Sequence, residues 1–445
     1  MGKTRAFVFF VMLAAAVAEA AIPRPIVITD VTVIDTAGGP AQPHRTVTVR
    51  DGRIASIEAS AGQAPKNADV VDGRGRFLIP GLWDMHVHLS WTTASAMPVL
   101  VANGITSVRD MGGRLSELDD WRTKAATGVV TGPRIFRAGP ILNGKSFNPL
   151  QMVPGTPDET RGVARGLKAA GVDFLKVHRR LPRDSYFALM DEAKKLDLMV
   201  VGHIPMTVTP EEASDAGQAT VEHTETLFEG TFSAELKGDL PAAIRRFRAE
   251  GADALFARFV KNGTIVTPTL IAYGSLIATM DPSRPPDPRL RYVAASLKAE
   301  AKKQAQTLSA AELEGWRQSF AELREVVRHL HRAGVVLMAG TDVAASRVPG
   351  FPLHEELALL VDAGLTPLEA LQASTTTPAR LLKKTADLGT VERGKLADLV
   401  LLDADPLQDI HNTRRIAAVV LAGRLLRRAD LDALLRDAEA LARAN

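Results

Sequence analysis

Four histidines, one lysine and one aspartate stand where short apolar runs of this chain end. In Asp84-Met85-His86-Val87-His88 the two imidazoles are two residues apart, and the period of a strand turns both to the same face. Two imidazoles on one face can grip a divalent cation, provided each finds a partner for its other ring nitrogen. His203 in Val-Gly-His-Ile-Pro, His223 in Val-Glu-His-Thr-Glu and Asp342 in Ala-Gly-Thr-Asp close three further apolar runs. Lys176, in Asp-Phe-Leu-Lys-Val-His, closes another. An amine buried unpaired is costly. Desolvation and nearby cations lower its pKa, and the neutral amine can add carbon dioxide to give a carbamate, an anion able to bridge two metal ions. The chemistry such a set points to is metal-assisted hydrolysis.

Groups so far apart in sequence meet only if a fold gathers strand ends. Apolar runs alternating with amphipathic helical stretches are the mark of parallel βαβ units. Eight are expected as strands: Leu82 to His88, Ile105 to Asp110, Ile135 to Ala138, Phe174 to His178, Val200 to His203, Thr220 to His223, Thr264 to Pro268 and Val336 to Asp342. Eight parallel strands close into an α/β (β/α)8 TIM-like barrel, whose chemistry sits at the C-terminal strand ends; a doubly wound sheet is the alternative. The helical stretch from Pro286 to Ala333 exceeds one barrel helix, and 228 to 260 also reads as an insertion, either of them a lid or an interface.

Outside the barrel, Ile26 to Asp35, Thr46 to Arg50, Ile54 to Glu58 and Val70 to Asp72 read as short strands, with Asp51-Gly52 as a two-residue hairpin turn. Ala397 to Leu402 and Ile416 to Leu421 are strand-like too, so the two chain ends are expected to build one small β-sandwich. Residues 1–20 carry Lys3 and Arg5, an apolar run and Ala18-Glu19-Ala20, the pattern of a cleaved secretory signal peptide. The organisation expected is 1–20 leader, 21–80 first part of the sandwich, 81–385 barrel, 386–428 second part and 429–445 C-terminal helix.

Charged residues at 24% and apolar residues at 46% suit a folded enzyme, and a formal charge of +3 without basic–aromatic runs speaks against nucleic acid as a partner. No membrane contact is expected after cleavage of the leader, and the place of action is periplasmic or secreted. With no cysteine, an exported chain has neither disulfides nor thiolate ligands, so any metal must be held by nitrogen and oxygen. Such ligands suit zinc, manganese, cobalt or iron, with zinc the default.

The set His86-x-His88, Lys176, His203, His223 and Asp342 resembles that of the binuclear amidohydrolase superfamily. Phe77-Leu-Ile-Pro-Gly-Leu-Trp-Asp-Met-His-Val-His and Gly389-Thr-Val-Glu-Arg-Gly-Lys-Leu-Ala-Asp-Leu-Val match its habitual flanks. The resemblance implies that His86, His88 and Asp342 hold one divalent ion and His203 and His223 a second. It also implies that carbamylated Lys176 (carboxylysine) bridges them, with a hydroxide between the ions and Asp342 as general base and then acid. The texts around Lys176-Val-His178, Val201-Gly-His203-Ile-Pro205 and Ala219-Thr-Val-Glu-His223 are most similar to the branch of imidazolonepropionase and metal-dependent Xaa-Pro and Xaa-Arg dipeptidases. The chain departs from several dipeptidases in reading Ala138-Gly-Pro-Ile-Leu-Asn143-Gly, without a histidine.

Strand periodicity turns His178 and Glu225 toward the same mouth, and Tyr273 follows strand seven closely; His178 and Tyr273 are the candidate substrate contacts. Arg179, Arg180 and Arg347 lie beyond strand ends, as rim arginines or as carboxylate binders. The activity expected is hydrolysis of an amide in a small molecule, a dipeptide or N-acyl amino acid, by a homo-oligomer. The alternatives are cyclic amides, lactones or phosphotriesters on the same metals, or an inactive binding or assembly subunit.

Overall fold

The computed structural model describes residues 24–60, 66–146, 148–228, 239–304 and 308–444. The leader expected at 1–20 lies outside them. No helix among the described residues is long and apolar enough to cross a membrane.

The first described segment is β-structure rich in β-branched residues, with its apolar side chains buried. β1 (Ile26–Val33), β2 (Gln42–Arg50), β3 (Arg53–Ala59), β4 (Asp69–Asp72) and β5 (Phe77–Pro80) follow one another. Asp51 and Gly52 both take positive φ, 51° and 75°, which is what a type I′ hairpin turn between β2 and β3 requires.

The central part runs through β6 (Leu82–Val87), β7 (Ile105–Asp110), β8 (Arg134–Arg137), β9 (Ile141–Leu142), β10 (Gln151–Met152), β11 (Leu175–Val177), β12 (Val200–Gly202), β13 (Thr220–Glu222) and β14 (Ile265–Thr267). They pair in parallel, as β6-β7-β8 and as β10-β9-β11-β12-β13-β14. Helices such as Leu115–Ala126, Arg183–Lys195 and Pro210–Ala216 separate them. This is a TIM-like arrangement of strands and helices. Backbone bonds join the two sheets on both sides: Asp173 N donates to Arg137 O at 2.9 Å, and Met338 N to Val266 O and Met85 N to Ala339 O, each at 3.0 Å.

Two expectations need correction. The eighth strand, Val336 to Asp342, is not a regular strand: the segment makes isolated bridges at Leu337 and Val343. Its carbonyls and amides are shared among Val266, Met85, His86 and Ala373, and Asp342 at φ 53° bends it out of extended geometry. Second, β9 and β10 are additional, with β9 inserted beside β11, so the strands outnumber the eight expected.

After the barrel strands come β15 (Leu399–Leu402), β16 (Ile416–Leu421) and β17 (Arg424–Arg427). Strands from residues 26–80 and 399–427 share one eight-stranded sheet ordered β17-β16-β15-β5-β1-β2-β3, with β4 on β1. A core of its own, including Ile28, Val47, Ile54, Leu399 and Val420, holds it. The expected long helical stretch divides into helix Ala295–Gln304 and helix Ala310–Arg332, the latter started by a capping box in which Ser309 and Glu312 satisfy each other's backbone amides. The C-terminal helix Arg428–Ala444 packs with Val99 and Tyr292 through Ala438.

Candidate metal centre

Three histidine candidates sit one residue past a strand end, His88 after β6, His203 after β12 and His223 after β13, while Lys176 lies inside β11 and His86 inside β6. All five are at most 8% exposed. Two glycines make the approach possible. A Cβ on Gly340 would lie 2.8 Å from both His86 Cβ and Thr267 Cγ2, and one on Gly202 would meet Val177 O at 2.3 Å and Lys176 Cδ at 2.8 Å. His223 (φ 67°), Thr269 (φ 50°) and Asp342 (φ 53°) occupy the left-handed region, a strained setting that the surrounding bonds must enforce.

Those bonds also decide which ring nitrogens are free. Thr269 Oγ1 donates to Pro268 O at 2.8 Å, so its 2.7 Å contact with His223 Nδ1 requires that nitrogen to donate. His88 Nδ1 donates to Gly112 O at 3.2 Å, and His86 Nδ1 to Glu222 Oε2 at 3.2 Å. All three imidazoles are therefore held with a bare Nε2. The Nε2 atoms of His86 and His88 lie 3.4 and 3.5 Å from Asp342 Oδ1, and ligand atoms of His86, His223 and Asp342 all fall within 4.8 Å of one another. Lone pairs facing one another at such distances are what a shared cation would satisfy. His86 Nε2 and Lys176 Nζ are buried without hydrogen-bond partners, as is His203 Nδ1. The donor set thus fits a hard-to-borderline divalent ion.

The ring centroids of His86 and His223 and of His203 and His223 are each 4.7 Å apart, and His178 stands 4.2 Å from His203. Burial, aided by the Lys176 cation, holds His86 down at about 4 and His178 at about 3. Burial, with other contributions, also keeps His203 and His223 well below the usual range. The neutral imidazoles are ready to ligate. Burial brings Lys176 down to about 8, toward the neutral amine that carbamate formation requires. Burial would raise Asp342, but the Arg347 guanidinium and the surrounding histidines hold it well below the carboxylate range. Arg347 Nη1 donates to Asp342 O at 2.6 Å and also to its Oδ2.

Beneath the ligands lies a polar layer missed by reading the sequence for ligands alone. Arg109 Nη2 lies 2.8 Å from both oxygens of Glu222, while Nε donates to Met85 O at 2.7 Å and Nη1 to Thr220 Oγ1 at 3.0 Å. Burial raises Glu222, yet Arg109 and His86 hold it strongly ionised. Asp84 accepts from Thr341 Oγ1 at 2.6 Å and Thr341 N at 3.0 Å, tying β6 to the segment that carries Asp342. Burial pushes its carboxyl up to about 7 against these bonds. Glu356 accepts from Leu270 N at 3.1 Å and Ile271 N at 2.7 Å, fixing the turn that holds Thr269. Strand alternation was the available signal: Thr220 and Glu222, like Ser107 and Arg109, share the parity of an inward face.

A cavity of about 470 Å³ opens beside the ligands, lined among others by His178, Arg179, Tyr273, Trp316, Asp342 and Arg347. It contains both candidate substrate contacts. Burial pushes the Tyr273 hydroxyl above its usual range, and Ser319 lies close enough to interact with it. His354 is remote, bonded to Thr413 Oγ1 at 3.0 Å, and His329, His331 and His411 pair with carboxylates elsewhere.

Residues 77–426 match the model of the amidohydrolase family, which includes every ligand candidate. The chain belongs to the amidohydrolase family. Its members are hydrolases that typically use divalent metals. Among relatives, a dihydroorotase of Anaeromyxobacter dehalogenans (strain 2CP-1 / ATCC BAA-258) is 26% identical over 410 residues, 84% of this chain and 87% of that one. Another dihydroorotase of that species matches over only 83 residues, 19% of its length. Among solved structures, bottromycin amidohydrolase superposes with a TM-score of 0.78 at 25% identity, covering 94% of this chain and 91% of the other. A candidate prolidase of Bifidobacterium longum gives 0.67 at 26%, covering 94% and 99%. The amidohydrolase likeness drawn from the motifs thus stands, and the similarity to the prolidase agrees with the dipeptidase branch.

Proposed function

We propose that this amidohydrolase cleaves an amide bond in a small molecule, a dipeptide or N-acyl amino acid. The single observation that carries the reading is the set of bare Nε2 atoms of His86 and His88 facing Asp342 Oδ1 at 3.4 and 3.5 Å on the edge of a substrate-sized cavity. The backbone bonds at Asp173–Arg137 and along 336–343 support closure of the TIM-like barrel, and the sheet shared by residues 26–80 and 399–427 supports a β-rich domain beside it.

His86, His88 and Asp342 would hold one divalent ion, His203 and His223 a second, and Lys176, as its carbamate, would offer one oxygen to each. Zinc is the ion proposed. Bound there, such ions supply Lewis acidity, acidifying water toward pH ~7 and polarising the scissile carbonyl. The protein's part is positional and protonic. Glu222, Gly112 O and Thr269 fix the three ring orientations. Asp342 takes the proton of the attacking water and gives it to the departing amine. Tyr273 donates to the substrate carbonyl, and His178 contacts the substrate from the lining of the same cavity. The leader read at 1–20 puts this activity outside the cytoplasm, periplasmic or secreted.

The test is turnover by purified, metal-loaded protein on a library of dipeptides and N-acyl amino acids, with lactones and a phosphotriester alongside. Amide turnover at kcat/KM above those of the other classes is the expected result. Turnover confined to lactones or the phosphotriester overturns the reading, and so does none at all.

A further inference from the structure

We infer that the substrate is an N-acyl amino acid or dipeptide whose acyl flank is long or aromatic and apolar, with its free carboxylate on Arg347. The inference rests on the amide-hydrolase reading above and narrows its substrate. About 470 Å³ is more room than a short acyl derivative needs, and one part of the lining is largely apolar although Glu225 also borders it. The strand ends bring the polar ligands. The segments after β13 and β14, with helix Ala310–Arg332, bring Phe228, Leu240, Tyr273, Leu276, Trp316 and Leu323.

Leu240, Tyr273, Leu276 and Trp316 are only part-buried, so apolar carbon is left facing the cavity for a ligand to cover. The wall is built to keep its shape. The Tyr273 ring lies 5.1 Å from that of Trp316 and is stacked 6.2 Å from that of Phe320. The helix that carries Trp316, Phe320 and Leu323 is the segment in excess of what one barrel helix needs. It is anchored from outside by Arg245 and Arg248, which pair with Glu322 at 3.2 and 2.7 Å. An inserted helix spent on an apolar wall inside a hydrolytic site has selection of an apolar group as its consequence.

The other end of the ligand follows from Arg347. Only Nη1 is engaged, on Asp342, and among the described residues Nε and Nη2 make no hydrogen bond. A guanidinium edge of two free N–H groups bordering a cavity matches a carboxylate in bidentate geometry. It also sits next to the ligand Asp342, where the cleaved bond must lie. A carboxylate close to the amide nitrogen and an apolar group beyond the carbonyl is the pattern of an acylated amino acid.

The experiment uses the metal-loaded wild-type protein and needs no variant. kcat/KM is measured for N-acyl glycines from acetyl to octanoyl, each as free acid and as C-terminal carboxamide. Kd is measured by calorimetry for uncleavable analogues with methylene in place of the amide nitrogen. A gain of about 4-fold per methylene is expected until the wall is filled, as apolar surface leaves water. Loss of the charged end should cost about 10-fold or more. A flat or inverted chain-length series, in rate or in binding, overturns the wall; a carboxamide equal to the acid overturns the Arg347 anchor. If binding shows both trends and no amide is turned over, the specificity stands and the amide-hydrolase reading falls.

Discussion

Glu222→Gln separates what this carboxylate does for the fold from what it does for the metal. The amide keeps an oxygen for His86 Nδ1 and Arg109 but takes the counter-charge from a guanidinium that is fully buried. Leaving one partner of a buried ion pair alone costs roughly 3–5 kcal/mol. Arg109→Met added to Glu222→Gln removes the stranded charge and should return most of that stability. Metal affinity behaves otherwise, because an amide is a weaker acceptor than a carboxylate. His86 loses orientation and basicity, and affinity should fall about 10- to 100-fold in the single and the double variant alike. Urea unfolding of metal-depleted protein reads the first quantity, and competition with a chelating dye reads the second. A double variant that regains wild-type metal affinity, or a single variant as stable as wild type, would refute the assignment of Glu222 as the group that positions His86.

Four further outcomes follow from the same geometry. Asp342→Asn should keep most of its metal while kcat/KM falls roughly 10²- to 10⁴-fold on an ordinary amide, and less on an activated anilide; equal losses on both would rule out protonation of the leaving group. Lys176→Ala should lose metal and activity together and regain part of each with short carboxylic acids, whereas retention of normal metal content would leave Lys176 no bridging role. Gly340→Ala drives a methyl against His86 and Thr267 at 2.8 Å, so a destabilisation of roughly 1–3 kcal/mol is expected, read by urea midpoint alongside metal content. In the metal-depleted protein, His86 at about 4, His178 at about 3 and His354 at about 3 all lie below the unfolded value of 6.5. The unfolded chain therefore binds more protons as pH drops below about 6.5, and stability should fall steadily toward pH 4; a urea midpoint constant over that range would contradict the buried neutral imidazoles.

The clustered candidate ligands were legible because two simple periodicities coincide at them. A strand end is marked by an apolar run meeting a polar residue, and alternation puts His86 beside His88 on one face, so type and place could be read together. The hairpin at Asp51-Gly52 was legible for an equally local reason, the positive φ that both positions accept. The eighth strand was not, because Val336 to Asp342 has the composition of a strand while its hydrogen bonds go to Val266, Met85, His86 and Ala373 in turn. That pattern is settled by where neighbours lie and not by any property of the segment.

Arg109 and Glu222 show a second kind of blindness. Either side chain alone reads as solvated surface, since burying one without the other is prohibitive. Only the meeting of Arg109 from β7 with Glu222 from β13 across the interior makes burial of both tolerable, and that meeting is not a property of either segment. Yet the pair is what orients His86, and Thr269, equally unremarkable in sequence, is what sets the tautomer of His223. The residues that bind can be recognised by type, whereas the residues that aim them have types common everywhere. A metal centre read from sequence therefore names candidate ligands and misses their supports, and variants of the supports, with the candidate ligands untouched, test the centre most sharply.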